Sequence, residues 1–130
     1  MSQTKKEFTD NNIVAGSEAF VKYSDDAIEN VEPGIRRQIL GFDHNLMAVR
    51  VWFEKGAVGA QHTHPHTQVS YVESGVFEVT IGDDVQTLTA GDSFYVSSEV
   101  LHGAICREAG VLVDMFAPMR EDFLTNGDQA

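Results

Sequence analysis

Two imidazoles set two residues apart, His62 and His64, are the side chains of this sequence best spaced to grip a metal ion. Side chains alternate along a strand, so positions i and i+2 project from the same face. Gln68 has the same parity four residues further on, and His102 arrives from a later segment. A lone histidine is more often a satisfied core or surface residue than a ligand. Here four of the five histidines (His62, His64, His66 and His102) fall in one region of the chain or its expected partner strand, which reverses that expectation. His66 follows Pro65 and reads as a pocket residue beside the ligands; His44, in Asp43-His44-Asn45, reads as a solvated loop residue.

A second group closes the chain's last strand. Asp114 and Phe116 share one strand face, and Arg120 follows Pro118. The plain reading is a core phenylalanine beside a surface Asp114–Arg120 ion pair, worth about 0–1 kcal/mol. The chemical reading is a carboxyl group able to move a proton and a guanidinium able to fork onto a carboxylate. Arg50, on an earlier strand, reads either as a strand surface residue or as a second carboxylate contact inside a barrel.

The elements that must hold these residues read as all-β from Gly34 onward. Short apolar-alternating runs cover Gly34–Gly41, Leu46–Glu54, Ala60–His64, Gln68–Glu73, Gly75–Ile81, Asp84–Leu88, Ser93–Val96, Leu101–Arg107 and Val111–Phe116. Turn signals separate them, at Glu73-Ser74-Gly75, Gly82-Asp83 and Glu108-Ala109-Gly110 among others. This rhythm predicts a jelly roll or small barrel, and periodicity does not separate the two. Residues 1–30 read as an N-terminal arm lying on a sheet edge, with a short strand or helical turn at Glu18–Tyr23, and residues 31–130 as a single domain. Arg120–Thr125 reads as a short C-terminal helical tail. Trp52, Tyr71, Phe77, Phe94 and Tyr95 read as barrel core or rim, and Cys106 as a small core residue.

With 130 residues the chain is one domain by size. It has no apolar run long enough to span a membrane as a helix, and Met1–Asp10 lacks the apolar stretch of a secretory signal. One cysteine excludes an internal disulfide and fits a reducing compartment, so the expected location is the cytoplasm. A net charge of −11 argues against nucleic-acid and anionic-membrane partners.

Written out, the histidine segments are Gly56-x5-His62-x-His64-x3-Gln68-x6-Gly75 and Gly91-x5-Ser97-x-Glu99-x2-His102-x3-Cys106. They resemble the paired signature of the cupin superfamily. Gln68 stands where that family usually has Glu, Ser97 where it has Pro, Glu99 where it has Gly and Cys106 where it has Asn. The resemblance implies a cupin double-stranded β-helix, a jelly-roll barrel with one divalent transition metal (Ni, Zn, Fe, Mn or Co) in its mouth, held by His62, His64, Gln68 and His102. Four neutral donors leave the full +2 charge on such an ion, which favours Lewis-acid chemistry on an anionic substrate over oxygen activation.

Three further stretches narrow the likeness: Gly34-Ile35-Arg36-Arg37-Gln38-Ile39-Leu40-Gly41, His62-x-His64-Pro65-His66-x-Gln68, and Asp114-x-Phe116-x-Pro118-x-Arg120-x-Asp122-Phe123-Leu124. Over about residues 33–124 the chain resembles the pectin-degradation cupins called KdgF. That resemblance implies a redox-neutral, metal-dependent enzyme. It would convert 4,5-unsaturated monouronates, released by pectate and alginate lyases, into linear keto sugars, with Asp114, Phe116 and Arg120 at the family's catalytic positions. Two other classes compete: a cupin dioxygenase, distinguished by oxygen uptake and disfavoured by Gln68, and a non-catalytic sugar-binding cupin. A homodimer is expected, because a small domain with exposed sheet edges gains by covering them.

Overall fold

The computed structural model describes residues 4–9 and 12–124, with side chains from Gly16 onward. A hairpin of β1 (Thr4–Thr9) and β2 (Asn12–Ser17) forms a sheet of its own. It is tied to the body where the Ser17 hydroxyl accepts the Phe42 backbone N–H at 3.0 Å. Glu18–Tyr23 forms neither the strand nor the helical turn expected of it. The local helical signal is instead taken up one step later, where the Ser24 hydroxyl caps a 3-10 turn at Asp25–Ala27.

The remaining strands are β3 (Glu29–Glu32), β4 (Ile35–Asp43), β5 (Leu46–Phe53), β6 (Val58–His62), β7 (Thr67–Ile81), β8 (Asp84–Thr89), β9 (Ser93–Val96) and β10 (His102–Ala117). They make a cupin jelly roll of order β3-β4-β5-β10-β7-β8, with β6 added to β10 and β9 to β7. On β5 the inward set is Met47, Val49, Val51 and Phe53, as its alternation predicts, and these pack with Ile35, Ile39, Val72, Phe77, Val79 and Leu112. Phe53 meets Phe77 edge-on at 5.1 Å. The Gly82-Asp83 turn is the expected tight hairpin, with Gly82 at φ +60° and Ile81 paired to Asp84.

Two expected turns are not turns. Glu73-Ser74-Gly75 and Glu108-Ala109-Gly110 are bulges inside β7 and β10, two strands of 15 and 16 residues that pair along their whole length. The bulges lie back to back. A Cβ on Gly75 would come 2.5 Å from the Gly110 Cα, and one on Gly110 would come 2.1 Å from the Ser74 carbonyl oxygen. Only glycine lets the backbones cross so closely, and Gly75 also takes φ +88°. There β10 changes partners: its first half lies against β6 and its second half against β5.

The expected C-terminal helical tail is a single 3-10 turn, Glu121–Phe123; Thr125 lies outside the described residues. Three residues carry too few backbone hydrogen bonds to continue as an α-helix. No helix among the described residues is long and apolar enough to cross a membrane.

Candidate metal centre and cavity

His62 closes β6, and its register partner across the ladder is His102, the first residue of β10. Cross-strand partners on one face stand side by side, and these two rings lie 4.5 Å apart between centroids. His64 sits just past the end of β6, where strand parity no longer applies. Its backbone is held instead by the Glu99 N–H, which donates to the His64 carbonyl at 2.8 Å. Glu99 has φ +66°, the left-handed conformation for which glycine is the usual choice. The His64 ring lies 4.8 Å from that of His102. One ligand atom from each of His62, His64 and His102 falls within 4.8 Å of the others.

The protons on these rings follow from their neighbours. Nδ1 of His62 faces the Ala60 carbonyl at 2.9 Å, Nδ1 of His64 the His66 carbonyl at 3.0 Å, and Nδ1 of His102 the Val100 carbonyl at 2.9 Å. A carbonyl only accepts, so each Nδ1 carries the hydrogen and each Nε2 keeps its lone pair. Burial lowers the pKa of His64 and of His102, Arg120 adding to the effect on His64, which keeps these rings neutral. Nε2 of His102 is buried without a hydrogen-bond partner. Nε2 of His64 faces Oε1 of Gln68 at 2.9 Å, lone pair toward lone pair. Acceptors crowded together with no donor among them fit a cation. The three histidines are thus positioned to bind a metal, and Gln68 presents an oxygen beside them.

A cavity of about 360 Å³ opens from this cluster. His62, Gln68 and His102 line it together with Asp114, Phe116, Arg120, Arg37 and Phe123. The β7–β10 register explains the convergence, since Gln68 pairs with Phe116 and Ser70 with Asp114. Buried Gln68 donates from Nε2 to the Ser70 hydroxyl at 2.8 Å, and Ser70 donates to Asp114 Oδ1 at 2.5 Å. Asp114 is therefore not in the surface ion pair of the plain reading. Burial raises its pKa to about 6, with the Ser70 hydrogen bond and the Arg120 charge pulling the other way. A carboxyl group titrating there can both take and give a proton near neutrality.

Phe116 is 3% exposed and packs its ring against His64 at 5.7 Å and Phe123 at 5.7 Å. The Arg120 guanidinium lies 5.0 Å from the Phe116 ring centroid and 4.4 Å from that of Phe123, and forks onto Asp122 at 3.0 and 2.8 Å. His66 stands beside the cluster, its ring 5.4 Å from His64 and 6.4 Å from Phe116.

Arg50 does not enter the barrel. It alternates with inward Val49 and Val51, so it faces outward, where it forks onto Glu73 at 3.1 and 2.6 Å and lies 5.2 Å from the Trp52 ring. Trp52 shares that outer face, and Tyr71 and Tyr95 are exposed rather than core. The arginine that joins Arg120 in lining the cavity is Arg37. It is stacked 3.8 Å over Phe123 and paired to Glu29 at 2.9 Å. Its place was available from parity on β4, where Ile35 and Ile39 share its face. Ser70, the other residue of the site not singled out by sequence, could have been found two positions after Gln68. Cys106 is buried, and burial raises its thiol pKa, as suits a small core residue.

The model of the cupin domain matches residues 49–116. The pectin degradation protein KdgF of Dickeya dadantii is 42% identical over 98 residues, which is 74% of this chain and 89% of that protein. Among solved structures, an RmlC-like cupin from Shewanella frigidimarina is 50% identical, with a TM-score of 0.79 over 83% of this chain and 97% of its own. KdgF from a Halomonas species is 38% identical, with a TM-score of 0.76 over 83% of this chain and 100% of its own.

Proposed function

Since this chain belongs to the cupin family, and within it to the KdgF group, we propose that it is an enzyme of pectin breakdown that opens 4,5-unsaturated monouronates to linear keto sugars. Uronates from alginate lyases are substrates on the same reading, because they carry the same C4=C5 bond, carboxylate and C1 hemiacetal and differ from the pectin-derived sugar at C2, outside the bonds that change. The observation that carries the proposal is that one cavity is lined both by His62, Gln68 and His102 and by Asp114, Phe116 and Arg120.

A divalent ion held by His62, His64, His102 and Gln68 would supply a fixed positive charge for the substrate's carboxylate and neighbouring oxygen. Arg120 offers a planar two-donor fork to the same carboxylate. The Phe116 ring forms an apolar wall for the sugar and excludes water on that side. Asp114 moves the proton. The C1 hydroxyl gives one up, and C1 becomes the aldehyde as the C1–O5 bond breaks with its electron pair on O5. C5 then becomes the ketone as C4 takes a proton. Atoms and electrons balance without redox change, and Asp114, with a pKa of about 6, can serve as both acceptor and donor.

Proton NMR of freshly made unsaturated monouronate tests this. Loss of the C4 vinyl signal well above the spontaneous rate, abolished by chelator and restored by a divalent metal, is the expected result. A rate equal to the blank, in protein shown to carry metal, refutes it.

A further inference from the structure

The hydrogen bonds linking the histidine end of the cavity to its carboxyl group run through one side chain. Ser70 is fully buried on β7, opposite Asp114 in the ladder. A hydroxyl has one hydrogen to donate and lone pairs to accept with. As a carboxylate, Asp114 has no hydrogen, so Ser70 must give its own to Oδ1, 2.5 Å away. Only a donor can then approach Ser70 from the other side. Gln68 meets that demand with Nε2 at 2.8 Å, and the turn of its amide leaves Oε1 facing Nε2 of His64. With the amide flipped, Oε1 would meet an oxygen whose single hydrogen is already committed, a contact between two acceptors in a closed site.

We propose that Ser70 is a positioning residue that fixes which end of the Gln68 amide faces the three histidines. The same count explains why position 68 carries an amide in this chain. A carboxylate there would place a second acceptor on a hydroxyl with one hydrogen, in competition with Asp114. The inference rests on the metal-site reading above and not on the identity of the sugar, so its test uses zinc(II) alone.

Zinc affinity, measured by competition with a chromophoric chelator, is compared in the wild type, Ser70→Ala, Ser70→Thr, Gln68→Ala and the Ser70→Ala/Gln68→Ala double variant. Loss of a group that orients a metal ligand typically costs about 10–100-fold in affinity. That loss is expected for Ser70→Ala, with recovery in Ser70→Thr, which keeps the hydroxyl. In the Gln68→Ala background, removing Ser70 should cost nothing further, because its effect passes through the amide. Wild-type affinity in Ser70→Ala, or the same loss with and without Gln68, overturns the proposal. In wild-type protein, which needs no substitution to fold, nuclear Overhauser contacts should run from the Gln68 side-chain NH2 protons to Ser70. Contacts from those protons to the His64 ring instead overturn it as well.

Discussion

Asp114→Asn should make the protein more stable while it stops the proposed reaction. Burial raises the Asp114 pKa from 3.8 to about 6. At 1.36 kcal/mol per pH unit, keeping this group as a carboxylate costs the folded state about 3 kcal/mol at pH 8. Asparagine removes the charge and keeps an oxygen to accept from Ser70. It also adds a buried N–H pair that needs an acceptor, which costs about 1 kcal/mol. The net gain is then about 2 kcal/mol, or roughly 6–8 °C in Tm for a chain of this size. The pH dependence carries the sign. The folded state holds this proton more tightly than the unfolded state, so the wild type loses stability as pH rises from about 4 to about 6 and no more above that. The advantage of the Asp114→Asn variant should therefore open across that window and stay level to pH 8. Thermal melts of both proteins in chelator, at several values between pH 4 and 8, check it. A variant less stable than wild type at pH 8, or an offset that does not change with pH, refutes the reasoning.

Three further outcomes follow from the geometry. Glu99→Gly should raise stability by about 0.5–1 kcal/mol in denaturant unfolding, because the φ of +66° strains any side chain with a Cβ. Arg37→Gln loses both its place over Phe123 and its ion pair with Glu29. Because Arg37 puts a positive charge on the cavity wall, available to an anionic substrate, steady-state kinetics on the unsaturated uronate should show KM raised about tenfold with kcat little changed. Gly75→Ala should leave little folded protein by circular dichroism, since the added carbon has no room beside Gly110 and the backbone is left-handed there.

Much of this arrangement is written locally and some of it is not. The alternation of Met47, Val49, Val51 and Phe53 places β5 correctly because an inward face needs nothing beyond its own period. The pairing of His62 with His102 is legible only through the cupin likeness, since no local rule brings positions forty residues apart into register. The glycines at 75 and 110 are read as turns because glycine signals a break in either case, and only the partner backbone decides between a turn and a bulge. Arg37 and Arg50 are alike in sequence; what separates them is parity counted from the core residues of their own strands. Ser70 carries no signal of its own, because a serine becomes a junction only through what stands on each side of it.

The long ladder of β7 and β10 has a consequence for the life of the protein in the cell. It joins Gln68 to Phe116 across a loop on the order of 50 residues, and such distant pairings form slowly, after the entropy of closing the loop has been met. His62, Gln68 and His102 come together only once that closure is complete, so the unfolded chain offers a divalent ion no assembled site. An ion binding there favours the native state, and at a free concentration 100 times its Kd it adds up to about 2.7 kcal/mol, less whatever it gains on the His62, His64 and His66 imidazoles of the unfolded chain. Fewer molecules then visit the open forms on which proteases act. Metal supply would in this way set how long each copy survives, as well as how fast it works.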